Sequence, residues 1–456
     1  MPTAGASTLA TAARRRLLTE PRRPARVRGS AHAHWYVVVA VCIGAFMGQL
    51  DASIVTVALP HIGRAMNVDA SVAQWVTLSY MLVLLVALVF AGQIADLLGR
   101  KLLYTWGFGV FTIASLLCGL APSLPLLIAA RVLQGLGAAM LQANSVALIR
   151  EAMPDKLLAR GIGVQGAAQA IGLATGPAVG GLLVALGGWR LIFFVNVPVG
   201  LLAIVLARLL VPRSQNALRA QRKNAATAGQ ASSDDAGEHR MPAGIAGVVA
   251  LLRRPAISFG LTTGLLSYLT LFGALFVIPY YLLAAGVGAT ASGLELAILP
   301  VSLGVIAPLA GRAAARLGSR PLAIAGLLLL AAGLADLALS PHGAGRLVGL
   351  AVAGAGLGAF TPVNNASVMA AGPRRRAGLL GGVLNMTRTL GAILGVVLAS
   401  ALYTSVAGPG ASAAAAGSGL LVTLLALAGL AALGAAMLLC QPRREAAAST
   451  CQGLSR

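Results

Sequence analysis

The sequence predicts an all-α membrane protein with twelve transmembrane helices in two six-helix halves. Three observations carry this reading: a composition too poor in charge for water, twelve apolar runs of membrane-crossing length, and an internal repeat. Of 456 residues, 58% are hydrophobic and 10% charged, whereas soluble domains carry roughly 25% charged residues. Aromatics make up only 5% and glycines number 56. The apolar mass is therefore aliphatic, and membrane helices tolerate Gly better than soluble ones do.

A helix needs about 20 mostly apolar residues to cross a bilayer. Twelve segments meet this, near 35–58, 72–95, 102–121, 124–149, 161–186, 190–211, 257–284, 292–315, 321–340, 346–371, 377–403 and 417–440. Between the sixth and seventh, residues 212–256 are polar and charged, and their one apolar stretch, 243–252, is too short to span. Residues 1–34 hold seven Arg and lead into a run too long for a signal-peptide core, with no small-residue cleavage site after it. The expected organisation is a disordered tail (1–34), a first half (35–211), a linker (212–256), a second half (257–440) and a short tail (441–456).

Orientation follows from the basic residues, which accumulate on the cytoplasmic side. Of the 34 Lys and Arg, 29 fall on one side: the two tails, the linker and alternate loops. The other side holds three, Arg64, Arg190 and Arg346, while Arg131 and Arg388 lie inside spans. The expectation is a multi-pass protein of the cell membrane with both termini and the linker in the cytoplasm.

The repeat is visible in two places. Gly92-Gln-Ile-Ala-Asp96-Leu-Leu98-Gly99-Arg100-Lys101 after span 2 recurs as Gly311-Arg-Ala-Ala-Ala315-Arg-Leu317-Gly318-Ser-Arg320 after span 8, at an offset of 219. Gly135-Leu-Gly137-Ala138 and Asn144 in span 4 recur as Gly356-Leu-Gly358-Ala359 and Asn365 in span 10, at an offset of 221. Two such halves around a central cavity are a transporter architecture, although channels and membrane enzymes can also be duplicated.

Several function classes are disfavoured. The net charge of +22 is spread between apolar runs rather than clustered on one face, against a nucleic-acid partner. Cys42, Cys118, Cys440 and Cys451 lack metal-site spacing, so free thiols and no metal are expected. Gly161-Ile-Gly163-Val-Gln-Gly166 spells a dinucleotide fingerprint but follows no strand and opens a membrane helix, so it fails its context test. No phosphate-binding loop of the ATPase type and no nucleophile–base set stands out, so neither an ATP pump nor an enzyme is expected, and no cofactor is implied.

Further motifs are Leu50-Asp51-Ala-Ser-Ile-Val-Thr-Val-Ala-Leu-Pro60, Gln74-Trp75-Val-Thr-Leu-Ser-Tyr80 and Arg131-Val-Leu-Gln134-Gly135-Leu-Gly137. Two more are Gly176-Pro177-Ala-Val-Gly180-Gly181 and Trp189-Arg190-Leu-Ile-Phe-Phe-Val-Asn196-Val-Pro198. Together with Gly92–Lys101 they resemble the drug:proton antiporter branch of the major facilitator superfamily over nearly all of residues 35–440. The first and last runs resemble its fourteen-helix group, whereas twelve spans are counted here. The resemblance implies the major facilitator fold and a secondary transporter that exports small, fairly apolar molecules by alternating access. Its partners would be the substrate, protons and the lipid bilayer, and it would work as a monomer. The alternatives are an uptake symporter on the same fold and a non-transporting receptor or scaffold.

Within this frame, Asp51 is the first candidate for proton coupling, because a carboxylate at membrane depth is costly and by default functional. It stands about 24 Å along span 1 at 1.5 Å per residue, a depth that Arg131 of span 4 shares. The two are expected to pair, as a coupling device or as a static bridge. Expected cavity residues are Gln49, Tyr80, Gln134, Asn144, Asn365, Asn385 and Arg388. Arg388 would meet an anionic or polar group of substrate, or else bond backbone carbonyls. Gly172, Gly176 and Gly180 form a smooth face that, with Pro177, suits sliding or bending between the halves. Gly92, Asp96, Gly99 and Arg100 form a candidate cytoplasmic latch, which the second copy lacks at Ala315. Glu295 reads as a solvated helix-end carboxylate and Asp336 as an interface residue.

Overall fold

The computed structural model describes residues 32–212, 252–372, 377–408 and 412–440, with a few residues before 32. The expected tails and most of the linker lie outside the described residues. Twelve helices among the described residues are long and apolar enough to cross a membrane. In the first half these spans are built on α1 (Ala33–Met66), α2 (Trp75–Leu98), α3 (Arg100–Leu120), α4 (Leu124–Ala152), α5 (Asp155–Gly187) and α6 (Asn196–Leu210), the last reaching crossing length together with the turn from Leu191. In the second they are α7 (Pro255–Ala284), α8 (Ala289–Leu317), α9 (Ser319–Leu339), α10 (Gly343–Ala371), α11 (Ala377–Ala407) and α12 (Ala413–Cys440). Single-turn helices at Ala70–Ala73 and Leu191–Phe194 lead into α2 and α6. The fold is all-α, and several helices run beyond their apolar cores by one or two turns.

Local chemistry sets the helix ends. α1 stops at Asn67, which takes the left-handed conformation at φ 51° that Asn tolerates at a helix C-terminus. The α2–α3 and α8–α9 turns each hinge on one glycine, Gly99 at φ 102° and Gly318 at φ 86°. These are equivalent positions of the repeat, and a side chain there would be strained. Prolines 60, 177, 279, 300, 308 and 362 sit inside helices, as membrane helices permit when neighbours satisfy the freed backbone groups.

The packing obeys the repeat. In the first half α1 lies along α5, α4 along α2 and α3, and α6 on α3; in the second, α7 lies along α11, α10 along α8 and α9, and α12 on α9. Adding six to each helix number maps one set of contacts onto the other. The repeat extends to side chains. Lys101, 1% exposed, donates from Nζ to the Arg208 carbonyl at the end of α6 at 2.8 Å. Arg320, at the same place in the second copy, donates to the Leu438 and Leu439 carbonyls at the end of α12 at 3.0 and 2.9 Å. Both cations cap the negative end of a helix, where orphan carbonyls need donors.

The halves meet mainly where α5 passes α8. There Gly181 and Gly293 bring the two backbones into contact: a Cβ on Gly181 would collide with the Ala289 carbonyl, and one on Gly293 with the Pro177 carbonyl. This contact lies at the end of the bundle that carries the α1–α2 and α7–α8 connections. Helix α11 touches α2 and the short helix before it near the same end. The smooth face of Gly172, Gly176 and Gly180 does not lie between the halves as expected. Its glycines abut Phe46, Ser53 and Ile54 of α1, so the face cements two helices of one half, while the next residue, Gly181, makes the contact across.

Candidate functional site

Two sites share one wall. The first is a buried polar knot in the first half. Asp51 and Arg131 are both 0% exposed and pair at 2.6 Å through Arg131 Nη1 and Asp51 Oδ2. The other carboxylate oxygen, Oδ1, accepts from Gln134 Nε2 at 2.9 Å and from Asn196 Nδ2 at 3.1 Å. Arg131 also donates from Nη1 to Gln134 Oε1 at 2.6 Å and from Nε to the Val76 carbonyl at 2.9 Å, and Gln134 donates onward to Ser115 Oγ at 2.8 Å. The carboxylate thus receives three donors from α4 and α6. Its partner guanidinium stacks under the Tyr80 ring, 4.3 Å from the centroid, with Phe193 at 5.8 Å. Arg131 Nη2 and the Tyr80 hydroxyl are buried without a hydrogen-bond partner.

Burial penalises the charge on both members, and their mutual attraction and the three donors offset it. Such a pair is sensitive to any movement that changes its geometry. The spacing of spans 1 and 4 pointed to this pair. Asn196 escaped notice, although its Trp189–Pro198 run was singled out. The residue sits 145 positions from Asp51 in the chain, and nothing in the sequence says which amide meets which carboxylate.

The second site is a cavity of about 390 Å³ between the halves, within the 300–1,000 Å³ range of small-molecule pockets. Gln49, Tyr80, Asn365, Asn385 and Arg388 line it. Gln134 and Asn144 do not. Gln134 is committed to the knot, and Asn144 is 1% exposed and donates to the Met140 carbonyl one turn back at 2.7 Å. Gln142 and Gln169, which were not singled out, stand on the wall with Thr361, Thr389 and Tyr268. Leu84, Leu173, Leu271, Phe272, Leu303 and Leu357 supply apolar surface. Arg388 Nη1 approaches Asn385 Oδ1 at 3.4 Å and its guanidinium lies 5.4 Å from the Tyr268 ring centroid; no backbone carbonyl among the described residues holds it. Asp51 does not reach the cavity. Tyr80 belongs to both sites: its ring lies over Arg131, and the residue is part of the cavity wall.

The remaining candidates lie at the ends of the bundle. Gly92 has open space around it. Arg100 pairs with Glu151 at the end of α4 at 2.8 Å, within one half, and the side chain of Asp96 lies outside the described residues. Glu295 is not a solvated carboxylate: Arg346 of α10 grips it at 2.7 and 2.8 Å. The Asp336 carboxylate has one oxygen buried without a hydrogen-bond partner. Cys42, Cys118 and Cys440 are free thiols; Cys451 lies outside the described residues.

The family model of the Major Facilitator Superfamily matches residues 41–396 and 260–450. The chain belongs to the Major Facilitator Superfamily. It is therefore a multi-pass membrane transporter of small molecules and not an enzyme. Among relatives in this superfamily, the Multidrug resistance protein Stp of Mycobacterium tuberculosis is 35% identical over 408 residues, 80% of this chain and 75% of that protein. The Riboflavin transporter RibZ of Clostridioides difficile is 29% identical over 403 residues, 81% of this chain and 88% of that protein. The resistance-protein similarity places the chain in the superfamily's drug-efflux branch. In overall shape it matches a bacterial homologue of the human lysosomal transporter Spinster in an inward-facing, unoccupied conformation. The TM-score is 0.75 and the identity 18%, over 90% of this chain and 97% of that one.

Proposed function

We propose that this protein is a proton-coupled exporter of small, fairly apolar molecules that works by alternating access in the cell membrane. The observation that carries the reading is Tyr80, whose ring covers the Arg131 guanidinium and which also stands among the residues that line the cavity. A molecule entering the cavity presses on the residue that seals the Asp51–Arg131 pair. In return, a proton on Asp51 releases Arg131 from its counter-ion and frees Tyr80 to move. Export, rather than some other use of the fold, is supported by the similarity to a multidrug resistance protein.

The charge split of the loops supports cytoplasmic termini, a cytoplasmic linker at 212–256, and halves at 35–211 and 257–440. In that orientation the Gly181–Gly293 contact closes the outer end and the cavity opens inward, the stage at which an exporter loads. Gly92, Asp96, Gly99 and Arg100 then lie at the inner end, where a latch has to form when the transporter turns outward. A monomer holds every part of this device.

The test is gradient-driven substrate uptake into everted vesicles beside substrate binding to the purified protein. Asp51→Asn is expected to abolish uptake driven by a pH gradient while binding survives, and full gradient-driven uptake by this variant would falsify the coupling. The name of one relative, a riboflavin transporter, specifies no direction, so an uptake symporter is the second reading. Accumulation in right-side-out vesicles, with none in everted ones, would establish it.

A further inference from the structure

The cavity wall has a charge pattern that selects among small molecules. Among the described residues lining it, Arg388 is the single charged side chain, and no carboxylate faces it. Asp51 is spoken for by three donors and sealed at 0% exposure, so its charge is cancelled by Arg131 before it reaches the cavity. Glu295 is likewise neutralised by Arg346. Among the described residues Arg388 has no carboxylate within ion-pair distance, and its one polar contact is the long one to Asn385, 3.4 Å. The cavity therefore presents one uncompensated positive charge.

The side chains beside that charge are aromatic. Tyr268 and Phe272 line the cavity one helical turn apart, with their rings stacked at 6.4 Å and 19° between planes. The Arg388 guanidinium lies over the Tyr268 ring at 5.4 Å. Across the cavity the first half offers Gln49, Gln142 and Gln169, neutral amides that both donate and accept hydrogen bonds. A guanidinium beside a pair of aromatic rings suits a planar ring system carrying a carboxylate or other oxyanion, because the fork of donors pairs with two oxygens while the ligand's ring packs against the aromatic side chains. A cation placed there meets like charge in a partly dehydrated site, with no acid to neutralise it.

Resting on the exporter reading above, we propose that the substrates are planar aromatic anions, and that Arg388, beside Tyr268 and Phe272, is the group that selects them over cations of the same shape. Two xanthene dyes test this: fluorescein, which is anionic at neutral pH, and rhodamine 123, which is cationic on the same ring system. Binding of each to the purified full-length protein is read by fluorescence anisotropy, without any gradient. Fluorescein is expected to bind at least tenfold more tightly. Arg388→Gln is expected to weaken fluorescein about tenfold or more and to leave rhodamine 123 unchanged or improved, whereas Arg388→Lys keeps the preference for fluorescein. Equal or tighter binding of rhodamine 123 by the unaltered protein, failure of fluorescein to bind, or indifference of fluorescein to Arg388→Gln overturns the proposal. The first two readouts need no variant, so a folding defect in Arg388→Gln does not rescue it.

The two readings fail separately. A preference for rhodamine 123 in a protein whose uptake depends on Asp51 sinks the anion proposal alone. A preference for fluorescein in a protein whose Asp51→Asn variant still accumulates substrate sinks the proton coupling alone.

Discussion

At the scale of single residues, the Asp51–Arg131 pair decides most. With both side chains 0% exposed, removing one partner leaves the other buried without a counter-charge, at a cost of about 3–5 kcal/mol. Arg131→Ala is therefore expected to lower the melting temperature of the detergent-solubilised protein far more than Asp51→Asn, whose neutral amide still bonds Arg131. The double variant Asp51→Asn, Arg131→Ala should be no worse than Arg131→Ala in stability and no worse than Asp51→Asn in transport, because the two act as one coupled unit. Strict additivity of the two melting losses would show that they do not. The pair was legible in the sequence because charges inside apolar spans are few, so position along each helix brought these two to one depth. The amides were not legible to the same degree. A membrane helix is apolar toward lipid and toward its neighbours alike, so hydrophobic pattern does not say which way a lone polar residue points. Gln134 and Asn144 were expected in the cavity for that reason, and Asn196, Gln142 and Gln169 were passed over.

Among elements, the glycine turns and the basic caps belong to the repeat and can be tested as a set. Gly99 and Gly318 hold φ values of 102° and 86°, conformations that cost a side-chain-bearing residue of order 1–3 kcal/mol. Gly99→Ala and Gly318→Ala should each reduce thermal stability by about that much, against a negligible effect of Gly92→Ala, which has open space around it. Lys101→Met removes a charge-assisted bond to the end of α6, worth about 1.5–3 kcal/mol; a melting curve that does not move would show that the cap contributes nothing. The spacing of glycines in α5 was readable, but not the partner they meet. The face at Gly172, Gly176 and Gly180 packs on α1, and the approach between halves falls to Gly181 and Gly293. A bulkier Gly181→Leu should hold that end of the bundle apart. In a cysteine-free background, a cysteine placed at Gln49 would then react faster with a membrane-impermeant thiol reagent added outside cells; unchanged labelling would count against this contact as the outer closure.

On the scale of the whole molecule, the count of twelve spans was the most legible feature, since length and apolarity alone define a crossing helix. The helix-by-helix correspondence of the halves followed from two short motifs at offsets of 219 and 221. Sidedness rests on charge, and it predicts that an epitope tag at Ala228 is reached only in permeabilised cells while one at Gly410 is reached in intact cells. Labelling of both tags from one side would rule out this topology. The uncompensated arginine in the cavity wall has a consequence for energetics. A monovalent anion leaving the cell as a proton enters moves two positive charges inward per cycle, and a dianion three, whereas a monovalent cation exchanged for one proton moves none. Each charge carried across a membrane potential of 100 mV contributes about 2.3 kcal/mol. Export of an anion would therefore run on voltage as well as on pH. Proteoliposomes clamped at equal pH with potassium and valinomycin should accumulate fluorescein when the potential alone is imposed, and should generate a measurable current as they do so.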